Sequence, residues 1–494
     1  MRDMAKKLIF RELLIILATI ILSRYGSGAF VFVIVFWGVA SALTNKVGRA
    51  FACYITLTLL ILLNPFILPG KGMLFSIAVR GGSLLIGLCV SVIGITRRGG
   101  LKIPLSTLWI YLIIAAISSA DGWYAQISYL KILQFSVFLA SVIIGTQNIM
   151  RQEHDIFLLR SYIVAVTIFV VLGSAVIWPF PQWSSLGAVI TFRNSLGDFG
   201  AVEEMVADGM YLNQALLCGV LYQSQALSSV TACLFVWLLS DSLFVEKRVG
   251  AFRGILLSIS LLILYLTRSR TGLLALIVGI FLMAIYVMPR ITLPDKRKVI
   301  IKHIFWSGFV LLAIIGCVAE LKDHNLSRWI RKTDDVDSDL RTTTEAVTAS
   351  RMGLIAKSMR DFSLNPMLGM GFQVEERHRD HIKGHSGSGL IISASIEKGV
   401  LPVMVLGETG IVGLIVFLYF ILSFYRHCAM NKLYNTSLLF STFLATNMGE
   451  ATFFSPGGPG GLEWMVCAVG GFVLDLTMRC QAKQNYNEYQ RMLI

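Results

Sequence analysis

Apolar runs of about 16–24 residues succeed one another along almost the whole chain, separated by short polar turns. A continuous run of that length reads as a transmembrane helix. With 55% hydrophobic and only 15% charged residues among 494, and a mean hydropathy of +0.72, the chain lacks the polar surface that a soluble protein of this length needs. The expected fold is therefore an all-α polytopic membrane protein of about fourteen transmembrane helices. The candidate spans are 9–24, 28–44, 50–67, 74–95, 104–120, 129–146, 161–178, 226–241, 252–267, 271–288, 303–320, 402–425, 436–454 and 461–478, with 208–222 a partial or re-entrant helix. The N-terminal stretch has no small-residue cleavage site and runs directly into a second apolar segment, so it reads as a first span rather than a signal peptide.

Charge placement checks the span order. If the N-terminus lies inside, the inner turns gather basic residues such as Lys46 and Arg49, Arg97, Arg98 and Lys102, and Lys296, Arg297 and Lys298. The short outer turns hold few, mainly Arg24 and Lys71. This is the positive-inside pattern, and it places both termini in the cytoplasm. It also accounts for the net charge of +14 without nucleic acid as a partner. The eight cysteines lie in or beside apolar segments and none is in a long polar loop, so no disulfide framework is expected.

Three parts are expected. Residues 1–320 form a transmembrane bundle with an outer loop at 181–225, residues 321–401 form a large extracytoplasmic loop, and residues 402–494 hold the last spans and a cytoplasmic tail. The large loop is nearly neutral, with twelve Lys/Arg and eleven Asp/Glu, and contains His324, His378, His381 and His385. Within it, "TTTEAVTASRMGLIAKSMRDF" opens on a Thr and Glu capping signal. It places Val347, Arg351, Leu354, Ile355, Ser358, Met359 and Phe362 on one stripe, as in an amphipathic helix lying on the outer membrane face. "SPGGPGG" (455–461) reads as a flexible outer turn.

The stretch "TRSRTG" (267–272) is the tight outer turn between two spans, and it crowds Arg268 and Arg270 together. Two readings compete. The arginines snorkel to the headgroups, or two guanidinium forks beside a helix N-terminus form a site for phosphate or diphosphate. Ser or Thr in the turn can cap the second helix. Arg80, in the outer third of its span, is either a snorkelling anchor or part of a substrate cavity, and Lys131 is read as structural, paired with a carboxylate such as Asp121. His378, His381 and His385 fall at i, i+3 and i+7, a spacing that can bind zinc. The glycines between and after them, and the lack of a completing ligand, favour a solvated loop with one working histidine, so no metal is assigned.

Several motifs, in order, resemble the O-antigen ligase and polymerase superfamily of GT-C type membrane glycosyltransferases. "SRTGLLALIVGIF" (269–281) resembles its Ser-Arg-x-x-Leu-Leu-Ala-Leu segment. "ASRMGLIAKSMRDFSLNPMLGMGF" (349–372) resembles its arginine-bearing loop helix with the closing Pro-x-x-Gly-x-Gly-Phe turn. "VLGETGIVGLIVFLYFIL" (405–422) resembles its Glu-x-Gly-x-x-Gly start of a span, and "GVLYQSQALSSVTACL" (219–234) occupies the place of its Asn-rich span start. The resemblance covers roughly 210–425. One departure stands out. Family ligases carry a His-Asn pair about ten residues before the Glu, where this chain has "SIEKGVL" with Glu397 and Lys398.

The resemblance implies a bacterial inner-membrane enzyme. It would join polyprenyl-diphosphate-linked repeat units into O-antigen, capsule or exopolysaccharide, without a cofactor. Arg270, Arg351, His385 and Glu397 are the implied catalytic residues, and Arg268, Lys398, Glu408 and Arg80 the implied substrate-binding ones. The implied partners are the lipid-linked glycan and membrane lipid, with a flippase and a chain-length regulator beside them. The ligase reaction is the close alternative. A lipid-linked oligosaccharide flippase or other transporter is the rival of another class, and an internal repeat would favour it, but none is seen.

Overall fold

The structure is a computed structural model that describes residues 2–25, 29–64, 67–68, 73–95, 104–120, 124–178, 217–267, 269–290, 343–374 and 399–493. Helices follow the order of the apolar runs: α1 (Arg2–Tyr25), α2 (Ala29–Leu43), α3 (Val47–Leu62), α4 (Met73–Ile95), α5 (Leu108–Ala120), α6 (Ala125–Ile149), α7 (Glu153–Ile177), α8 (Ser224–Ser240), α9 (Ala251–Leu266), α10 (Arg270–Leu282), α11 (Thr343–Leu364), α12 (Leu401–Met430), α13 (Tyr434–Thr446), α14 (Pro459–Trp464) and α15 (Gly470–Leu493). Among the described residues, seven continuous helical segments are long and apolar enough to cross a membrane: Phe75–Ile95, Ala125–Ile149, Glu153–Ile177, Ser224–Val245, Arg270–Val287, Leu401–Met430 and Pro459–Lys483. Four shorter apolar helices accompany them. Among the described residues the only extended pairing is one bridge, Leu63 to Leu221. The chain is thus an all-α polytopic membrane protein. The run expected at 303–320 lies outside the described residues.

Between lipid-facing helices the hydrophobic effect supplies little, so packing and hydrogen bonds hold the bundle. Small residues let helices close up. A methyl group on Gly145 of α6 would lie 2.4 Å from the ring of Phe51 on α3, and one on Gly272 of α10 would lie 1.8 Å from the Ser228 hydroxyl of α8. The centre is aromatic. Phe453 sits 4.8 Å from Trp464 and 4.9 Å from Phe454 between ring centroids, and Phe454 stacks on Tyr111 at 5.1 Å. The Trp464 indole donates to the Phe453 carbonyl at 2.6 Å, which meets the need of a buried Trp for an acceptor.

One end of the bundle is tied by compensated charges. The Asp475 carboxylate caps α13, accepting from the amides of Asn435 (3.0 Å) and Thr436 (2.9 Å) and from the Thr436 hydroxyl (2.7 Å). Arg49 pairs with Glu12 at 2.8 Å, and Asp241 bridges Arg160 (2.6 Å) and Arg253 (2.8 Å). The opposite end holds the starts of α4, α6, α8, α10 and α12, and is called here the Arg270 end.

At the Arg270 end three segments depart from the expected form. First, 217–222 is not helical. Its backbone runs beside the end of α3, with the Asn64 amide donating to Val220 O (2.7 Å) and the Tyr222 amide to Leu62 O (2.8 Å). Second, the Glu-x-Gly motif does not start a span. It lies inside α12 and breaks it at Gly410 (φ 64°, ψ −166°). The turn after α11 fills the break. The Ile411 and Val412 amides donate to Pro366 and Met367 carbonyls at 2.9 and 3.4 Å, and the Met370 and Gly371 amides donate to Gly407 and Glu408 carbonyls, each at 3.1 Å. Two motifs 40 residues apart thus complete one helical turn between them, because a helix broken inside a bundle must find backbone partners elsewhere. Third, Ser455–Gly461 is not a loose turn. Ser455, Pro456, Gly458, Gly460 and Gly461 are buried, and the Tyr54 hydroxyl donates to the Pro456 carbonyl at 3.2 Å. Irregular backbone at this depth is tolerated because the protein satisfies it.

Candidate functional site

Of the residues assigned from the sequence, the side chains of Arg270, Arg80 and Glu408 are described, and each stands near the Arg270 end. α9 stops at Thr267, whose hydroxyl donates back to the Leu264 carbonyl at 2.8 Å. Ser269 stands at the N-cap of α10 in extended conformation (φ −96°, ψ 112°), but its side chain makes no capping hydrogen bond, contrary to the expected Ser or Thr cap. Arg270 is then the first residue of α10 and is half-buried. The next residue packs tightly: a methyl group on Gly449 would lie 2.0 Å from the Thr271 hydroxyl. Arg270 is therefore held at a helix N-terminus, where backbone dipoles also favour an anion.

Arg80 meets the same segment from another side. Its Cγ and Cδ lie 3.5 and 3.6 Å from where a Gly457 methyl would sit, and Gln134 Nε2 lies 3.3 Å from that point. Tyr222 is near enough to interact with its charge. Residues 449–457 thus run from Thr271, the neighbour of Arg270, to Arg80.

Beside that segment lies a buried carboxylate that sequence reasoning missed. Glu463 on α14 is 1% exposed and accepts from the Thr452 hydroxyl at 3.1 Å, with the hydroxyls of Ser229 and Thr446 around it. A signal was available. Glu463 is the sole charged residue between Glu450 and Asp475, within a long apolar run, and an ionisable group in a span marks a functional candidate. Its burial among hydroxyls also fits a plain structural brace for α8, α13 and α14.

Glu408 is buried, 1% exposed, beside the α12 break. The Ser118 hydroxyl donates to its backbone carbonyl at 2.6 Å, and Tyr111 lies near enough to interact with it. Ser119 and Ser128 fix Phe372, the first accepting from its amide at 3.1 Å and the second donating to its carbonyl at 2.9 Å. Lys131, 4% exposed, donates from Nζ to the Gln373 carbonyl at 2.8 Å, and Gln373 Nε2 donates to the Phe454 carbonyl at 2.8 Å. The structural reading of Lys131 fits this geometry, with a backbone carbonyl as a partner; Asp121 lies outside the described residues. Lys131→Met should lower stability by about 1–3 kcal/mol, since the Gln373 carbonyl loses a charged donor, and Lys131→Arg should lower it less. Thermal unfolding in detergent measures the difference.

Arg351 lies on α11, and its side chain is outside the described residues, as are Arg268, His385, Glu397 and Lys398. The helix that carries Arg351 is where the sequence places it, but it does not merely lie on a membrane face. Ser358 of α11 is buried against Gly407 of α12, and Leu354 touches Gly399. α11 is docked on the bundle, running alongside the first arm of α12 toward the break.

Comparison with known proteins bears on the stretch from α9 to the α12 break. Residues 255–418 match the O-antigen ligase family. The resemblance read from the motifs is shown over that segment, which contains Arg270, Arg351 and Glu408, while Arg80 and Glu463 lie outside it. No curated protein and no solved structure matches the chain. Within the O-antigen ligase segment, the two motifs with the sharpest glycine patterns are the two that splice together at Gly410.

Proposed function

We propose that this protein is a membrane glycosyltransferase that takes a polyprenyl-diphosphate-linked glycan as donor, and that it polymerises repeat units. The observation that carries the reading is Arg270 at the N-terminus of α10, whose next residue, Thr271, packs on Gly449 of the segment 449–457 that also meets Arg80. In the proposed orientation the Arg270 end faces away from the cytoplasm, in keeping with the excess of Lys and Arg in turns at the opposite end. No nucleotide is at hand there, so the energy comes from the leaving group.

In the reaction, a sugar hydroxyl on an acceptor unit attacks the anomeric carbon of the donor. The new glycosidic C–O bond forms as the bond to diphosphate breaks, and polyprenyl diphosphate leaves with the electron pair. Arg270 and Arg351 offset the charge that develops on it, acting as fixed donors in a site of low dielectric. The hydroxyl proton passes to a base, for which His385, Glu397 and Glu408 are the candidates. Arg268, Lys398 and Arg80 hold the remaining charges of donor and acceptor.

A ligase that moves a finished glycan to another acceptor is the second reading, and the family matched by 255–418 is described by that activity. The polymerase reading rests on "SIEKGVL" standing where the ligase His-Asn pair is expected. The lipid-linked glycan profile of a deletion strain separates them. The polymerase predicts a single repeat unit accumulating on the carrier with no ladder above it. A full ladder retained on polyprenyl would establish the ligase, and an unchanged profile would remove both.

A further inference from the structure

Far from the Arg270 end, α1 and α9 both pack against α7 and leave a trough between them. The trough has a volume of about 520 Å³. Its floor is Val164, Ile168 and Leu172, one stripe of α7 about 12 Å long at 1.5 Å per residue. Phe10 and Leu13 of α1 form one wall and Phe252 of α9 the other. All of this surface is apolar, and both phenylalanines are exposed to the surroundings of the bundle.

One end of the trough is different, lined by Glu246, Arg248 and Arg253. Its acids are already engaged. Asp241 pairs with Arg160 at 2.6 Å and Arg253 at 2.8 Å, and Glu246 pairs with Arg160 at 2.5 Å and Arg253 at 3.7 Å. Arg248 and its neighbour Lys247 are exposed, and among the described residues Arg248 has no carboxylate within ion-pair distance. The pairs neutralise one another and leave this lip with a positive excess. An apolar groove with a cationic lip matches an amphiphile whose tail is hydrocarbon and whose head is an anion.

We infer that the trough between α1, α7 and α9 is a binding site for an anionic phospholipid, its acyl chain on Val164, Ile168 and Leu172 and its phosphate at Arg248. The inference stands apart from the proposed chemistry. It uses no residue of the Arg270 end, and it holds whether the enzyme is a polymerase, a ligase or neither. A zwitterionic lipid fits the hydrocarbon part equally but gains less at the lip, so the site should discriminate by headgroup charge. An arginine near a membrane surface supplies a preference of about fivefold for anionic lipid.

The full-length protein, reconstituted in phosphatidylcholine vesicles with a trace of spin-labelled phosphatidylglycerol or spin-labelled phosphatidylcholine, tests this by electron paramagnetic resonance. The expected result is a motionally restricted component that prefers phosphatidylglycerol about fivefold. Arg248→Ala should abolish the preference and Arg248→Lys should keep it. Leu172→Trp should fill the trough and reduce the restricted component for both lipids. A photo-crosslinking side chain at Phe252 should label lipid. Equal restriction of both lipids, an unchanged preference in Arg248→Ala, or a crosslink from position 252 to another segment of this chain or to a second copy would each overturn the inference.

Discussion

Alanine at Gly410 is expected to cost the protein about 5 kcal/mol of stability and all of its glycan-joining activity. Two effects add. The backbone at Gly410 has φ 64° and ψ −166°, a region that is essentially glycine-only and costs an L-residue about 1–3 kcal/mol. A methyl group there would also lie 2.3 Å from the Met367 carbonyl carbon and oxygen, and backbone atoms cannot swing aside as a side chain can. Relief requires the two strands of the splice to part. That endangers the four bonds joining 366–371 to 407–412, each contributing about 0.5–1.5 kcal/mol net. Gly369→Ala should act in the same direction, because its φ is 70° and its methyl group would meet the Glu408 carbonyl carbon at 2.4 Å. Gly353→Ala is the control. Gly353 is helical and exposed with nothing within 4 Å, so alanine there should raise stability by about 1 kcal/mol. Melting temperature in detergent, read with the lipid-linked glycan profile, distinguishes the three. A Gly410→Ala protein that melts with wild type would show that the break is not locked by the turn after α11.

The splice also shows how far this fold could be read from the sequence. Among the described residues, apolar runs located the helices of the bundle, seven segments of which are long enough to span a membrane. The α11 helix was legible as well, since "TTTEAV" and "LNPMLG" signal a start and a stop. Its docking was not. Ser358 is a small polar residue on a mostly apolar stripe, and nothing local says that it faces Gly407 rather than lipid headgroups. The break at Gly410 was hidden for a similar reason: the residues "ETG" fit a helix start as well as an interruption, and only the long-range partners at 366–371 decide. "SPGGPGG" misled because Gly and Pro announce a turn but not its depth, and the burial comes from Tyr54, Arg80 and Gln134 on distant helices. Of the candidate site, Arg270 and Arg80 were legible as charges out of place in an apolar chain, and Glu408 through the Glu-x-Gly motif of the resemblance. Glu463 was equally out of place, but it sits in no motif of the resemblance.

Arg270→Ala is expected to stop polymer growth while leaving the protein in the membrane at its normal level. Arg270 opens α10, and its neighbours Thr271 and Gly272 are fixed by contacts with Gly449 and Ser228. Removing the side chain keeps the contacts of Thr271 and Gly272 in place and subtracts a cation. If that cation offsets charge on a departing diphosphate, its loss should slow transfer by about 10²–10³-fold, the scale set by deleting one preorganised donor. Single-repeat lipid-linked glycan should then accumulate. Arg270→Lys should recover part of the rate, since a lysine keeps the charge but not the planar fork that grips two oxygens. Arg351→Ala should give the same accumulation, and the double variant should be much less than the product of the two, because groups that hold one leaving group act as a unit. Arg80→Ala should lose less if, as proposed, Arg80 holds substrate rather than the bond that breaks. Polymer of normal length from both Arg270→Ala and Arg351→Ala would take the diphosphate away from these residues and leave Arg270 as an anchor of the α9–α10 turn.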